Sequence, residues 1–203
     1  MSEIRHIVFD IGRVLLHYDP ELPYTRLIPE AQKRHWFLGN ICTPEWNIEQ
    51  DRGRGWNEAE ALLIAEHPEH EDNIRAFRGR WHEMVPHAYE DVVEIMEGLI
   101  VGGHDVTMLT NFASDTFAEA RERFAFLKKP RGVTVSGEVR LLKPQREIYD
   151  HHVSSFGLDP AATLFIDDSE KNVDGAKAAG WQALHFRDAA TLASDLARLG
   201  VAV

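Results

Sequence analysis

The sequence predicts a three-layer α/β/α fold: a parallel sheet with helices on both faces, interrupted by an all-helical insertion. Three observations lead there. The β-branched and aromatic run His6-Ile7-Val8-Phe9 ends at once in Asp10 and a loop, as buried parallel strands do. From residue 105 onward, short apolar runs alternate with amphipathic helical stretches, the order that specifies a Rossmann-like parallel sheet. Between Leu16 and Asp105 there is no convincing strand, and the apolar spacing is helical.

After the first strand, Thr43 with Pro44 and Glu45 is a helix start: a capping residue, a first-turn proline and an early acid. Asn57-Glu58 begins another. Ile74, Phe77, Trp81 and Met84 recur at i, i+3, i+7 and i+10, and Ala59, Leu62 and Leu63 repeat that stripe one helix earlier. These helices are expected to form a small bundle with most of its tryptophans inside. Pro86 marks the return to the main domain, where Val92 to Ile100 forms an amphipathic helix ended by Gly102-Gly103. Strands follow at 105–109, 132–135, 163–166 and 182–185. Helices lie near Ser114 to Arg123, Gln145 to Phe156 and Glu170 to Ala179, the last two closed by Gly157 and Gly180. The chain is thus expected to divide into a core of residues 1–16 plus 86–203 and a helical cap of residues 17–85.

At 203 residues and 44% hydrophobic content the chain can bury an ordinary α/β core plus an insertion. Its 33 acidic against 22 basic side chains give a formal charge of -11, which argues against nucleic acid or an anionic membrane as partner. A small anionic substrate then needs a local positive pocket. Met1 to Arg5 leads into the first strand without an apolar signal region, and no stretch reaches the length of a membrane span, so a cytoplasmic location is expected. The single cysteine, Cys42, excludes an internal disulfide and has no histidine partner nearby in sequence, which marks it as structural. His67, His70, Glu69 and Glu71 surround Pro68 and read as a solvated loop, and His151-His152 point to different helix faces.

Splitting a phosphate ester needs an in-line nucleophile, a divalent cation and positive donors around the phosphoryl oxygens. Four segments supply all three. Asp10 sits at a strand mouth as a nucleophile; Thr110 and Asn111 end a second strand with a hydroxyl and amides for phosphate. Lys143, before Pro144, provides a point charge. Asp167-Asp168 are adjacent acids that would repel unless a cation were present. Mg²⁺ suits oxygen ligands, and Asp10, Asp168 and the Gly12 carbonyl would suffice, with Asp167 beside or behind them.

In order and spacing these segments resemble the four motifs of the haloacid dehalogenase superfamily: Phe9-Asp10, Thr110-Asn111, Ser136-Gly137-Glu138-Val139 leading to Lys143-Pro144, and Phe165 to Gly175. The resemblance implies Asp10 as nucleophile and metal ligand, Thr110 and Asn111 as phosphate binders and Lys143 as stabiliser of the phosphoryl group. Asp168 with Asp167 would hold Mg²⁺. It also implies a cap that follows the first motif and closes over the site. The activity implied is a Mg²⁺-dependent phosphatase acting on a small phosphorylated metabolite, such as a sugar phosphate, through an aspartyl-phosphate intermediate.

One position departs from that pattern. Most phosphatases of the superfamily carry a second Asp two residues after the nucleophile, and here that residue is Gly12, in an Asp-x-Gly-x-Val motif comparable to some sugar-phosphate phosphatases. Acid help of this kind is commonly worth about 10²- to 10⁴-fold. His17 or Asp19 could supply it, Arg13 could bind the phosphate or leaving group electrostatically, or the substrate could carry an easy leaving group. The same departure leaves two alternatives, a 2-haloacid dehalogenase using Asp10 on carbon, which needs no metal, and a non-catalytic phospho-ligand binder. In the cap, Trp46 and Trp56 bracket Glu49, Asp51, Arg52 and Arg54 in a candidate specificity loop, with Trp46, Arg52 and Trp56 the residues expected to face the pocket.

Overall fold

The computed structural model describes residues 3–202, so Met1 and Ser2, which open the lead-in segment read above, lie outside the described residues. Strand β1 (His6–Phe9) enters a tight loop in which the amides of Val14, Leu15 and Leu16 all point to the Ile11 carbonyl. Helices α1 (Glu21–Leu27), α2 (Ala31–Asn40), α3 (Pro44–Asp51), α4 (Trp56–Glu66), α5 (Glu71–Gly79) and α6 (Trp81–Met84) follow. The chain then returns through α7 (Glu90–Val101), β2 (Asp105–Thr110), α8 (Ser114–Arg123), β3 (Val133–Val135) and α9 (Ser136–Val139). It ends in α10 (Arg146–Phe156), β4 (Thr163–Asp167), α11 (Glu170–Ala178), β5 (Gln182–His185) and α12 (Ala189–Arg198).

The sheet is parallel throughout, in the order β3-β2-β1-β4-β5. Successive strands are laid on one side of β1 and then on the other, so the chain changes direction beside β1, and a crevice opens there at the carboxyl edge. Phe9 is level with Met108 and Ile166, which puts Asp10, Thr110 and Asp167 on that edge. Side chains alternate between the sheet's faces. Ile7, Phe9, Met108 and Ile166 join a core with α7, α8 and α12, while Val8, Leu109 and Phe165 face Ile148, Tyr149 and Ala176 of α10 and α11. Phe37, Phe77 and Trp81 of the helical insertion belong to the first of these cores.

The strands fall within a residue of their predicted places. Helix α3 starts as its sequence requires, with the Thr43 hydroxyl accepting from Trp46 N at 3.1 Å and Pro44 in the first turn. Four details correct the sequence reading. Helix α4 begins at Trp56, one residue before Asn57-Glu58, because Gly55 takes the extended cap position. The stripe from Ile74 to Met84 is buried, but Arg80 breaks it into α5 and α6. Leu62 is 55% exposed, since only Ala59 and Leu63 turn inward. Of the insertion's tryptophans Trp81 alone is enclosed; Trp46 and Trp56 are half-buried and Trp36 is exposed. Cys42 is buried, and among the described residues no helix is long and apolar enough to cross a membrane.

Candidate active site

Lys143 organises the carboxyl edge. Its Nζ lies 2.8 Å from Asp10 Oδ1, donates to Asp167 Oδ2 at 2.7 Å and to the Leu109 carbonyl at 3.1 Å. The contact with Asp10 is at ion-pair distance but off the angle of a hydrogen bond, which leaves that buried oxygen without one. Asn111 fixes the lysine's backbone: its Oδ1 accepts from Lys143 N at 2.9 Å and its Nδ2 donates to Lys143 O at 3.1 Å. Asp167, fully buried, also accepts from Ser169 N at 2.8 Å and from Asn172 Nδ2 at 3.0 and 3.1 Å. Tyr149 in turn donates to Asn172 O at 2.8 Å. Gly175 lets α11 approach this lysine, since a Cβ there would stand 2.7 Å from Pro144 O.

Burial pushes the Asp10 carboxyl up to about 7; Lys143 pulls it down and Asp167 pushes it further up. Burial and then Asp167 raise Asp168, against Arg13 and Lys143. Burial works against the Lys143 charge, yet Asp10 and Asp167 hold its pKa above the ordinary value. One ammonium therefore faces three carboxyls, with one ligand oxygen from each of Asp10, Asp167 and Asp168 within 4.8 Å of the others. An all-oxygen cluster with excess negative charge and a buried, unbonded oxygen fits a hard divalent cation.

A cavity of about 410 Å³ opens over these groups, walled below by Asp10, Gly12, Arg13, Asn111 and Asp168. The insertion closes it from above with Leu38, Ile48 and Phe77. A smaller space of about 80 Å³ adjoins it through Gly12, Tyr18, Asn47 and Asn111, and reaches Asp51, Trp56 and Trp81. Of the residues singled out by sequence, Asp10, Gly12, Arg13, Asn111, Lys143, Asp167 and Asp168 come together here. Thr110 is buried at the end of β2 beside them and lines neither cavity.

The other predicted residues lie elsewhere. His17 stacks on His87 and shares a 3.0 Å hydrogen bond with Tyr89 OH; Asp19 accepts from Glu21 N just ahead of α1. Neither lines the cavity. Trp56 does line the smaller space, but Trp46 packs on Trp56 and Phe77, and Arg52 reaches outward to Gln145 and Glu49. Asn111 is engaged through its side chain in holding Lys143. Sequence reasoning missed Tyr18, Asn47 and the placement of Asp51. Asn47 and Asp51 are four apart on α3, a spacing that puts them on one helix face and was the available signal.

Residues 47–186, more than half of the chain, match the family described as haloacid dehalogenase-like hydrolase. A sesquiterpene phosphatase of Aspergillus oryzae is 31% identical over 97 residues, 48% of this chain and 50% of that protein. A chloroplast flavin mononucleotide hydrolase of Arabidopsis thaliana is 41% identical over 61 residues, 30% of this chain and 25% of that protein. The chain thus matches half or less of the length of these curated relatives. In fold it is similar to a HAD family enzyme of Bacteroides thetaiotaomicron solved with magnesium and inorganic phosphate, at TM-score 0.72 and 19% identity over 93% of this chain and 98% of that one. The family match, the parallel sheet and its acidic carboxyl edge agree, and the chain belongs to the haloacid dehalogenase-like hydrolase family.

Proposed function

We propose that the protein is a Mg²⁺-dependent phosphatase acting on a small phosphorylated metabolite through an aspartyl phosphate on Asp10. The observation that carries this is the convergence of Asp10, Asp167 and Asp168 around buried Lys143 at the floor of a cavity. The names of the two curated relatives, a phosphatase and a mononucleotide hydrolase, support the same chemistry. Mg²⁺ would be held by Asp10, Asp168 and the Gly12 carbonyl, with Asp167 behind them, because its oxygens already serve Lys143, Asn172 and Ser169. Bound there, the cation offsets charge on the phosphoryl oxygens.

In this reading the Asp10 carboxylate attacks phosphorus as the ester oxygen departs, and water then cleaves the acyl phosphate. Lys143 keeps Asp10 in line and contributes positive charge; the Asn111 backbone meets phosphoryl oxygens, and Arg13 stands at the rim. Residues 17–85 act as the cap. Their contribution to the cavity is largely apolar, Leu38, Ile48 and Phe77, which favours an ester with an apolar body over a sugar phosphate. Carbon attack on a haloacid has no use for two acids flanking the nucleophile.

The test is phosphate release from aryl, alkyl, acyl and sugar phosphates with Mg²⁺ and with chelator, beside halide release from 2-chloropropionate. Metal-dependent phosphate release, faster for the apolar esters, is expected. Asp10→Asn should lower it by at least about 10⁴-fold with the fold intact. Metal-independent halide release, or full activity in that variant, would overturn the mechanism.

A further inference from the structure

Gly12 occupies the place where the resemblance leads one to expect an acid, and nothing in the backbone demands glycine there. A Cβ at Gly12 would meet no atom within 4 Å, and its φ lies outside the left-handed region. The room left over is part of the smaller space, whose opposite wall is the carboxyl-terminal end of α3.

We propose that Asp51, delivered from the cap into the space beside Gly12, is the general acid and base of the phosphatase reaction. The proposal rests on the phosphatase reading above. Two contacts fix the group. Its carboxylate accepts from Asn47 Nδ2 at 3.3 Å, and its backbone carbonyl accepts from the buried Ser136 hydroxyl at 2.6 Å. Gly53 makes that docking close, since a Cβ there would stand 2.9 Å from Gly137 O. Burial raises the Asp51 carboxyl to about 7, against the Ala113 amide and the Lys143 charge, so both protonation states are available near neutrality.

The groups around it leave no better candidate. Tyr18 lines the same space, but burial and then Asp51 push its phenol upward, so it stays a hydrogen-bond donor. Lys143 is held charged by two carboxylates. Arg140 packs beside Gly53, and Asp115 is turned to Arg78 and Trp56. As the bond from Asp10 to phosphorus forms and the ester P–O bond breaks, Asp51 gives its proton to the departing oxygen, and the alcohol leaves neutral. Asp51 as carboxylate then takes a proton from the water that attacks phosphorus, which releases phosphate and restores the Asp10 carboxylate.

The readout is kcat/KM, which reports only steps through departure of the leaving group, measured on a simple alkyl phosphate and on p-nitrophenyl phosphate. Asp51→Asn keeps size and can still accept from Asn47 Nδ2. It should lower kcat/KM on the alkyl ester about 10²- to 10⁴-fold and on the nitrophenyl ester less than about tenfold, because nitrophenolate needs no proton to leave. The fall in wild-type alkyl-ester kcat/KM above about pH 7, where Asp51 loses its proton, should vanish in the variant. Adding Gly12→Asp to Asp51→Asn should recover at least about tenfold on the alkyl ester, since the carboxyl would enter the same space. Equal losses on both esters, no loss on either, or no recovery in a folded double variant overturns the assignment. A wild-type chain that releases no phosphate from any ester overturns the phosphatase reading itself.

Discussion

His152 of α10 lies fully buried over β2 and β3, its Nε2 2.9 Å from the Thr107 hydroxyl and its Nδ1 2.8 Å from the Thr134 hydroxyl. Two hydroxyls that can each donate or accept satisfy a neutral imidazole, and burial pushes its pKa down to about 3. Below the unfolded value of 6.5 the unfolded chain binds a proton that the native state refuses, so stability falls with acid from about pH 6.5 to about 3. The slope from this residue approaches ~1.4 kcal/mol per pH unit. His152→Gln, which keeps both hydrogen bonds without titrating, should lose that slope in urea unfolding between pH 6 and 4.5, where an unchanged slope would show that His152 is not the group responsible. The sequence separates His152 from His151 by helix face but says nothing of Thr107 and Thr134, which reach it only through the sheet.

At the scale of elements, Gly175 decides how closely α11 lies on the loop that carries Lys143. In Gly175→Ala the added methyl meets Pro144 O at 2.7 Å and Tyr149 OH at 3.0 Å, so α11 or the loop must shift. A loss of about 1–3 kcal/mol in unfolding free energy is expected, together with reduced kcat, because Asn172 and Lys143 move with their elements. Wild-type kcat in that variant would show the site indifferent to the approach. Strands and core helices were legible in the sequence because each is a continuous apolar run or an amphipathic stripe closed by a local signal. The stripe on α4 was less so: Leu62 and Leu63 are both apolar, and only tertiary contact selects the second. Asp10 and Asp167 were legible because each sits at a strand's carboxyl end, and Lys143, which lies beyond β3 and α9, only through the order of the segments around it. Asp51 was not, since its carbonyl is held by Ser136, 85 residues away, and its helix alone reads as polar surface.

Taken whole, the molecule carries a formal charge of -11 and gathers three of its acids at one buried edge. A cation bound there stabilises the native state over the unfolded chain, by about 2.7 kcal/mol at a hundred times Kd. Mg²⁺ should therefore raise the wild-type Tm in differential scanning fluorimetry, chelator should reverse the rise, and Asp168→Asn should largely abolish it. An equal rise in that variant would place the ion elsewhere.

The Ser136 hydroxyl faces both ways across the boundary between insertion and core: it donates to the Asp51 carbonyl and accepts from Phe112 N at 2.8 Å. One oxygen thus ties the end of α3 to the turn after β2, next to the residue that grips Lys143. Under the proposed role of Asp51, this single oxygen makes the timing of proton delivery depend on the docking of α3: a poor leaving group would depart only with Asp51 held against the core, whereas a leaving group that needs no proton would not wait for that contact.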